Sequence, residues 1–202
     1  MVNDYYSAIK KMQEYAEENN VPIMTNDGIT FLTDYIKKNN SKRILEIGTA
    51  IAYSTIMMAL TNPEAEITTI ERDEKRYLEA IKNVKKFKLE DRIHLIYNDA
   101  LNVNLEEEFD LIFIDAAKAQ NIKFFEIFSQ NLSSNGTIIT DNMNFHGLVD
   151  KDASEIKSRN LRALVRKVRD YRNYLKENPK FTTAFYNIGD GIAVSKRKKE
   201  NA

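Results

Sequence analysis

From Lys42 onward, short apolar runs alternate with stretches of helical periodicity, and this alternation limits the fold more than any other feature. "RILEIG", "AEITTIE", "RIHLIY", "FDLIFID" and "GTIITD" read as strands. Residues 51–60, 73–88 and 122–132 read as helices between them; in 73–88, Tyr77, Ala80, Ile81, Val84 and Phe87 share one face. Apolar strands linked by helices are buried on both sides. The expected class is therefore α/β, with a mostly parallel sheet covered by helices on both faces.

Two further helices are expected before Lys42. One covers residues 4–18; the other starts at Asn26 or Asp27, either of which can cap it, and ends near Lys38. "NNVPIM" links them. Residues 1–40 thus form a helical extension packed on the main domain, residues 41–202. After the fifth strand a loop from Asn142 leads to a basic helix at 155–176, which Pro179 ends. "FTTAFYNI" and "GIAVSKRK" flank "GD" as a closing hairpin.

A chain of 202 residues fits one domain with such an extension. Thirty basic residues balance thirty acidic ones, so the distribution of charge is informative and its sum is not. With no cysteine, a disulfide scaffold, a thiolate metal site and a cysteine nucleophile are excluded. The N-terminal stretch lacks the apolar core of a signal peptide, and no apolar run nears the ~20 residues that span a bilayer. A soluble, cytoplasmic protein without membrane contact is expected.

In parallel sheets, ligands bind at the carboxyl ends of the strands, and the polar residues of interest fall there. "EIGTAIAYS" follows the first strand with small residues ahead of a helix N-terminus, where backbone N–H groups can approach a ligand. Glu71 ends the second strand and suits a ribose diol; Asp99 and Ala100 follow the third and can border an adenine. The competing reading is a plain turn at Gly48 and a solvated carboxylate at Glu71. With one glycine there is little provision for a pyrophosphate, which favours S-adenosylmethionine over a dinucleotide. The candidate cofactor set is Glu46, Gly48, Thr49, Ser54, Glu71, Asp99, Ala100 and Asp115.

Asp115 and the pair Asp141–Asn142 end the fourth and fifth strands, expected to be neighbours. Two carboxylates and an amide oxygen form a hard donor set suited to Mg²⁺ or another divalent cation. The alternative is that the acids cap the following helices or pair with Lys118. A cation acidifies a bound hydroxyl, and Lys118, one turn beyond Asp115, is the candidate base.

"ILEIGTAIAYST", "FDLIFIDAAKAQNIKFFE", "GTIITDNMNFHGLV" and "YNIGDGIAVSKRK" together resemble the cation-dependent O-methyltransferases, the group of the catechol and caffeoyl-CoA enzymes. The resemblance spans nearly the whole chain and within that group is to enzymes that methylate 5-hydroxyuridine at the tRNA wobble position. It implies a Rossmann-like class I methyltransferase fold with a seven-stranded sheet and an antiparallel C-terminal hairpin. It also implies Asp115, Asp141 and Asn142 as metal ligands, Lys118 as base, Glu71 as ribose ligand, and a homodimer. One departure stands out: family members commonly carry glycine where this chain has Ala52, whose methyl is expected to crowd the cofactor's methionine moiety.

The basic helix and tail bear on the acceptor. Arg162, Arg166, Lys167, Arg169 and Lys198 are the candidate RNA contacts, for an anticodon stem-loop; the competing reading is a solvated helix with surface ion pairs. Leu161, Leu164, Val165 and Val168 are expected to dock the helix. In 5-hydroxyuridine the hydroxyl lies beside a carbonyl, so base and catechol can chelate a cation alike. Phe145 and Tyr186 are candidates for stacking or for the core. His146 reads as a loop residue beside the pocket, His94 as structural, and Met24 and Asn26 as possible borders of the acceptor site.

Overall fold

The computed structural model describes residues 2–145 and 147–199. In chain order the elements are α1 (Val2–Glu18), α2 (Asn26–Asn39), β1 (Arg43–Ile47), α3 (Tyr53–Thr61), β2 (Glu66–Glu71), α4 (Glu74–Lys86) and β3 (Ile93–Tyr97). There follow β4 (Phe109–Ile114), α5 (Asn121–Phe128), β5 (Leu132–Thr140), α6 (Arg159–Glu177), β6 (Phe181–Tyr186) and β7 (Ile192–Arg197). The strands form one seven-stranded sheet in the order β3-β2-β1-β4-β5-β7-β6. β1 to β5 run parallel; β7 lies antiparallel between β5 and β6. This is the Rossmann-like class I arrangement.

Strand alternation divides the core. Ile44, Leu111 and Phe113 pack on one face with Leu32, Ile36, Ile56 and Phe87 from α2, α3 and the end of α4. Leu45, Ile47, Ile112 and Ile114 pack on the other with Phe124, Phe125, Tyr171 and Leu175 from α5 and α6. The strand order reverses at β1, which pairs with β2 on one side and β4 on the other. Register there is fixed: Ile47 pairs with Ile70 and Ile114, and Ile114 with Thr140. The next residues, Gly48, Asp115 and Asp141, therefore emerge at one level on three adjacent strands.

Several boundaries differ from the sequence expectation. Thr25, not Asn26 or Asp27, caps α2; its hydroxyl accepts the Gly28 N–H. α3 starts at Tyr53 because Ala50 and Ala52 take left-handed φ angles, +47° and +65°. α5 ends at Phe128, and β5 begins at Leu132, well before "GTIITD". α6 begins at Arg159, where Ser158 accepts the Leu161 N–H. A separate 3₁₀ turn, Ala153–Glu155, carries its own capping box. α6 docks through Val165, Val168, Tyr171 and Leu175, with Leu161 and Leu164 half-buried. Ile81 is 39% exposed, outside the buried face of α4.

Candidate active site

At the carboxyl ends of β1, β2, β4 and β5 lies a pocket of about 550 Å³. One end is bounded by Glu71, Asn98, Asp99 and Ala100, the other by Asp115, Lys118, Asp141, Asn142, Phe145 and Asp190. Gly48, Thr49, Ala50, Tyr53 and Ser54 lie between them. The pocket thus joins the expected nucleotide and metal ends in one cavity.

The first loop explains its own composition. Gly48 has φ +102°, and a Cβ there would meet the Asp115 carbonyl oxygen at 2.1 Å. Only glycine lets these two strand ends pass so closely. Glu71 is held by three main-chain donors: Oε2 accepts from Ala50, and Oε1 from Arg72 and Asp73. Three of its roughly four acceptor sites are thereby used. A ribose diol would meet the remaining one or displace an N–H. Asp99 accepts the Leu101 N–H and pairs with Arg72 at 3.2 Å.

Glu46 does not line the pocket. Alternation along β1 turns it beneath α3, fully buried, where the hydroxyls of Ser54, Thr55 and Thr69 donate to it. Burial pushes its carboxyl up to about 7, against the pull of those three hydrogen bonds. With the Ser54 proton committed to Glu46, the hydroxyl has lone pairs to offer the pocket. Ala52 also departs from expectation. Its side chain is fully buried in the core and absent from the pocket wall, so its cost is left-handed backbone, not crowding of a cofactor.

At the other end, the Asn142 amide lies between two carboxylates, donating to Asp115 Oδ1 and Asp141 Oδ2 at 3.1 Å each. Burial raises the Asp115 carboxyl, while the charge of Lys118 and the bond from Asn142 oppose the shift. Burial, then the charge of Asp115, brings Asp141 up to about 7. Among the described residues no group of three or more His, Cys, Asp and Glu gathers around a metal-sized space. The set here is two carboxylates and one amide, and it fits a hard cation: two crowded acids need positive charge, and the amide, turned over, adds an oxygen. Lys118 Nζ lies 5.7 Å from the centre of the Phe145 ring.

Most of the other expected residues lie outside the pocket. Arg166, Lys167 and Lys198 are exposed, and Lys198 donates to the Asn178 carbonyl. Arg162 donates to the carbonyls of Ile156 and Lys157, and Arg169 to those of Val149 and Lys151. These two arginines are tied to the protein's own backbone, which the charge count along the helix did not reveal. Tyr186 packs on Phe31 at 5.1 Å, and His94 is exposed on the edge strand β3. Met24 lines the pocket, whereas Asn26 accepts from Gln13; His146 falls outside the described residues. The sequence reading missed Pro22, Ile23 and Thr25 of the linker, Tyr53, and Asp190, whose "GD" signalled a turn and nothing more.

The family model of the O-methyltransferases matches residues 3–198. The chain belongs to the O-methyltransferase family. A structure described as a putative caffeoyl-CoA O-methyltransferase from Staphylococcus aureus is 40% identical, with a TM-score of 0.89 over 98% of this chain and all of that one. A caffeoyl-CoA O-methyltransferase of Populus kitakamiensis is 28% identical over 92% of this chain and 82% of its own length. The O-methyltransferase from Bacillus cereus, solved in complex with SAH, is 26% identical with a TM-score of 0.79, covering 95% of this chain and 91% of that one. These likenesses place the chain in the cation-dependent group. They support S-adenosylmethionine as the methyl donor of this O-methyltransferase. No helix among the described residues is long and apolar enough to cross a membrane.

Proposed function

We propose that this O-methyltransferase binds S-adenosylmethionine along Gly48, Ser54, Glu71 and Asp99, and holds a divalent cation, Mg²⁺, with Asp115, Asp141 and Asn142. The observation that carries this reading is the single pocket joining both sets of residues. When bound, the cofactor would supply an activated methyl and the cation would acidify a hydroxyl held beside it. Lys118, as the neutral amine, would accept the hydroxyl proton while the methyl passes from sulfur to oxygen and SAH leaves; Phe145 and Met24 wall the acceptor. The protein's contribution is chiefly alignment of acceptor oxygen and methyl carbon.

For the acceptor we propose 5-hydroxyuridine in a tRNA anticodon loop, converted to 5-methoxyuridine. Exposed Arg166 and Lys167 on α6, with Lys196, Lys198 and Lys199 at the C-terminal end, support contact with phosphates. A second reading, a catechol or CoA ester, is supported by the names of the relatives and by the commitment of Arg162 and Arg169 to internal carbonyls. Hypomodified tRNA and caffeoyl-CoA, each with labelled cofactor, Mg²⁺ and a chelator control, separate the two. Chelator-sensitive labelling of tRNA is expected. Labelling of caffeoyl-CoA alone would give the acceptor to the second reading, and transfer unaffected by chelator would remove the cation. The reading extends to a homodimer, for which exposed Tyr6, Leu78 and Tyr97 offer apolar surface. Sedimentation velocity tests it.

A further inference from the structure

The segment between Asn142 and α6 is bent into an unfavourable shape and fastened at both ends. Asn142 has φ +66° and Phe145 φ +44°. A bulky aromatic residue seldom takes such a φ and keeps it only where its surroundings impose it. On one side the fastening is the β6–β7 turn: Met143 N–H donates to Gly191 at 2.9 Å, and Asn144 N–H to Asp190 at 2.7 Å. The Asn144 amide also donates to Asn187 at 2.6 Å. On the other side it is α6. Arg169 Nε donates to the Val149 carbonyl at 2.7 Å, and a second N–H of the same guanidinium to Lys151. Arg172 pairs with Asp150 at 3.0 Å. The two fastenings meet, because Val149 N–H donates to the Asn144 carbonyl and Leu148 N–H to that of Phe145. Val149 itself is buried.

We propose that Arg169 is a positioning residue: by clamping two carbonyls of the 149–151 turn it keeps Phe145 against Lys118 and shapes the acceptor wall. This rests on the reading of Asp115, Asp141 and Asn142 as the acceptor end. A guanidinium fork spans two carbonyls in fixed geometry, whereas an ammonium is a point charge that cannot hold both in that arrangement. The clamp therefore depends on shape as well as charge, which separates it from a phosphate contact.

The test compares Arg169→Ala and Arg169→Lys with the wild-type protein, with Arg166→Ala as the reference for a lost phosphate contact: a lower salt slope and unchanged exchange in the segment. Four measurements are made: amide hydrogen exchange of residues 143–151, SAH affinity by calorimetry, the salt dependence of tRNA binding, and KM and kcat with hypomodified tRNA and with caffeoyl-CoA. Both Arg169 variants are expected to exchange faster in that segment and to raise KM for the accepted probe roughly tenfold. Their SAH affinity and salt slope should match the wild-type protein's. Unchanged exchange in Arg169→Ala would overturn the clamp. Wild-type KM in Arg169→Lys, or a flattened salt slope in Arg169→Ala, would overturn it too, the latter making Arg169 a phosphate ligand. If the wild-type protein methylates neither probe, the reading of the acceptor end fails, and the exchange data alone decide the clamp.

Discussion

Single residues at the strand tips line most of the site, and two beside them, Gly48 in the first loop and Glu46 buried behind it, give sharp expectations. Gly48→Ala would force a methyl to 2.1 Å from the Asp115 carbonyl oxygen at a φ that disfavours any side chain. Urea unfolding should show a loss of at least about 2 kcal/mol, with SAH affinity falling in step. Glu46 tests burial of a charge. Its carboxyl rises from the usual 4.5 to about 7 in the folded protein. Between those values the folded state holds a proton that the unfolded state has lost, so stability falls as pH rises through this window. The shift corresponds to roughly 3 kcal/mol, withdrawn in full above pH 7. Glu46→Gln should therefore gain on the wild-type protein progressively from pH 5 to 8, as read from urea midpoints. A difference between the two that is flat with pH would show that Glu46 titrates normally.

The helices and strands show where sequence reading succeeds and where it stops. Strand identity was legible because β1, β4 and the core of β5 are mostly apolar and β2 is built of β-branched Ile and Thr, and their tips bring Gly48, Glu71, Asp115 and Asp141 together by register alone. Glu46 was misplaced because type and location suggested a ligand, while alternation along the same strand turns it to the opposite side. Phe145, Asp190 and the linker at Thr25 gather through the β6–β7 turn, where Gly189 passes close to Thr25, and no local pattern announces that contact. On α6, charge was legible and its use was not: Arg162 and Arg169 answer backbone carbonyls, leaving Arg166 and Lys167 facing solvent. If α6 contacts tRNA, Arg166→Ala and Lys167→Ala should each reduce the slope of log K against log salt by about one. Filter binding across a salt series measures this. Slopes equal to the wild-type value in both would move the RNA surface off α6.

At the scale of the whole molecule, the sheet's order reverses at β1, so the cavity draws on both halves of the fold, with the loop after β1 between its two ends. Ligands at the two ends should therefore stabilise the same cooperative unit while relying on different residues. SAH at 100 times its Kd adds about 2.7 kcal/mol, and for a chain of this size each kcal/mol raises Tm by about 2–4 °C. Mg²⁺ should add a separate increment in the wild-type protein by relieving two crowded carboxylates. Asp141→Ala removes one of these, so its own Tm need not fall far, because the remaining Asp115 loses a repulsive neighbour. In that variant the SAH increment should persist and the Mg²⁺ increment disappear, together with methyl transfer. Calorimetric scans with each ligand alone and with both distinguish the cases. A Mg²⁺ increment of wild-type size in Asp141→Ala would place the cation elsewhere, and loss of the SAH increment would show that Asp141 supports the cofactor end as well.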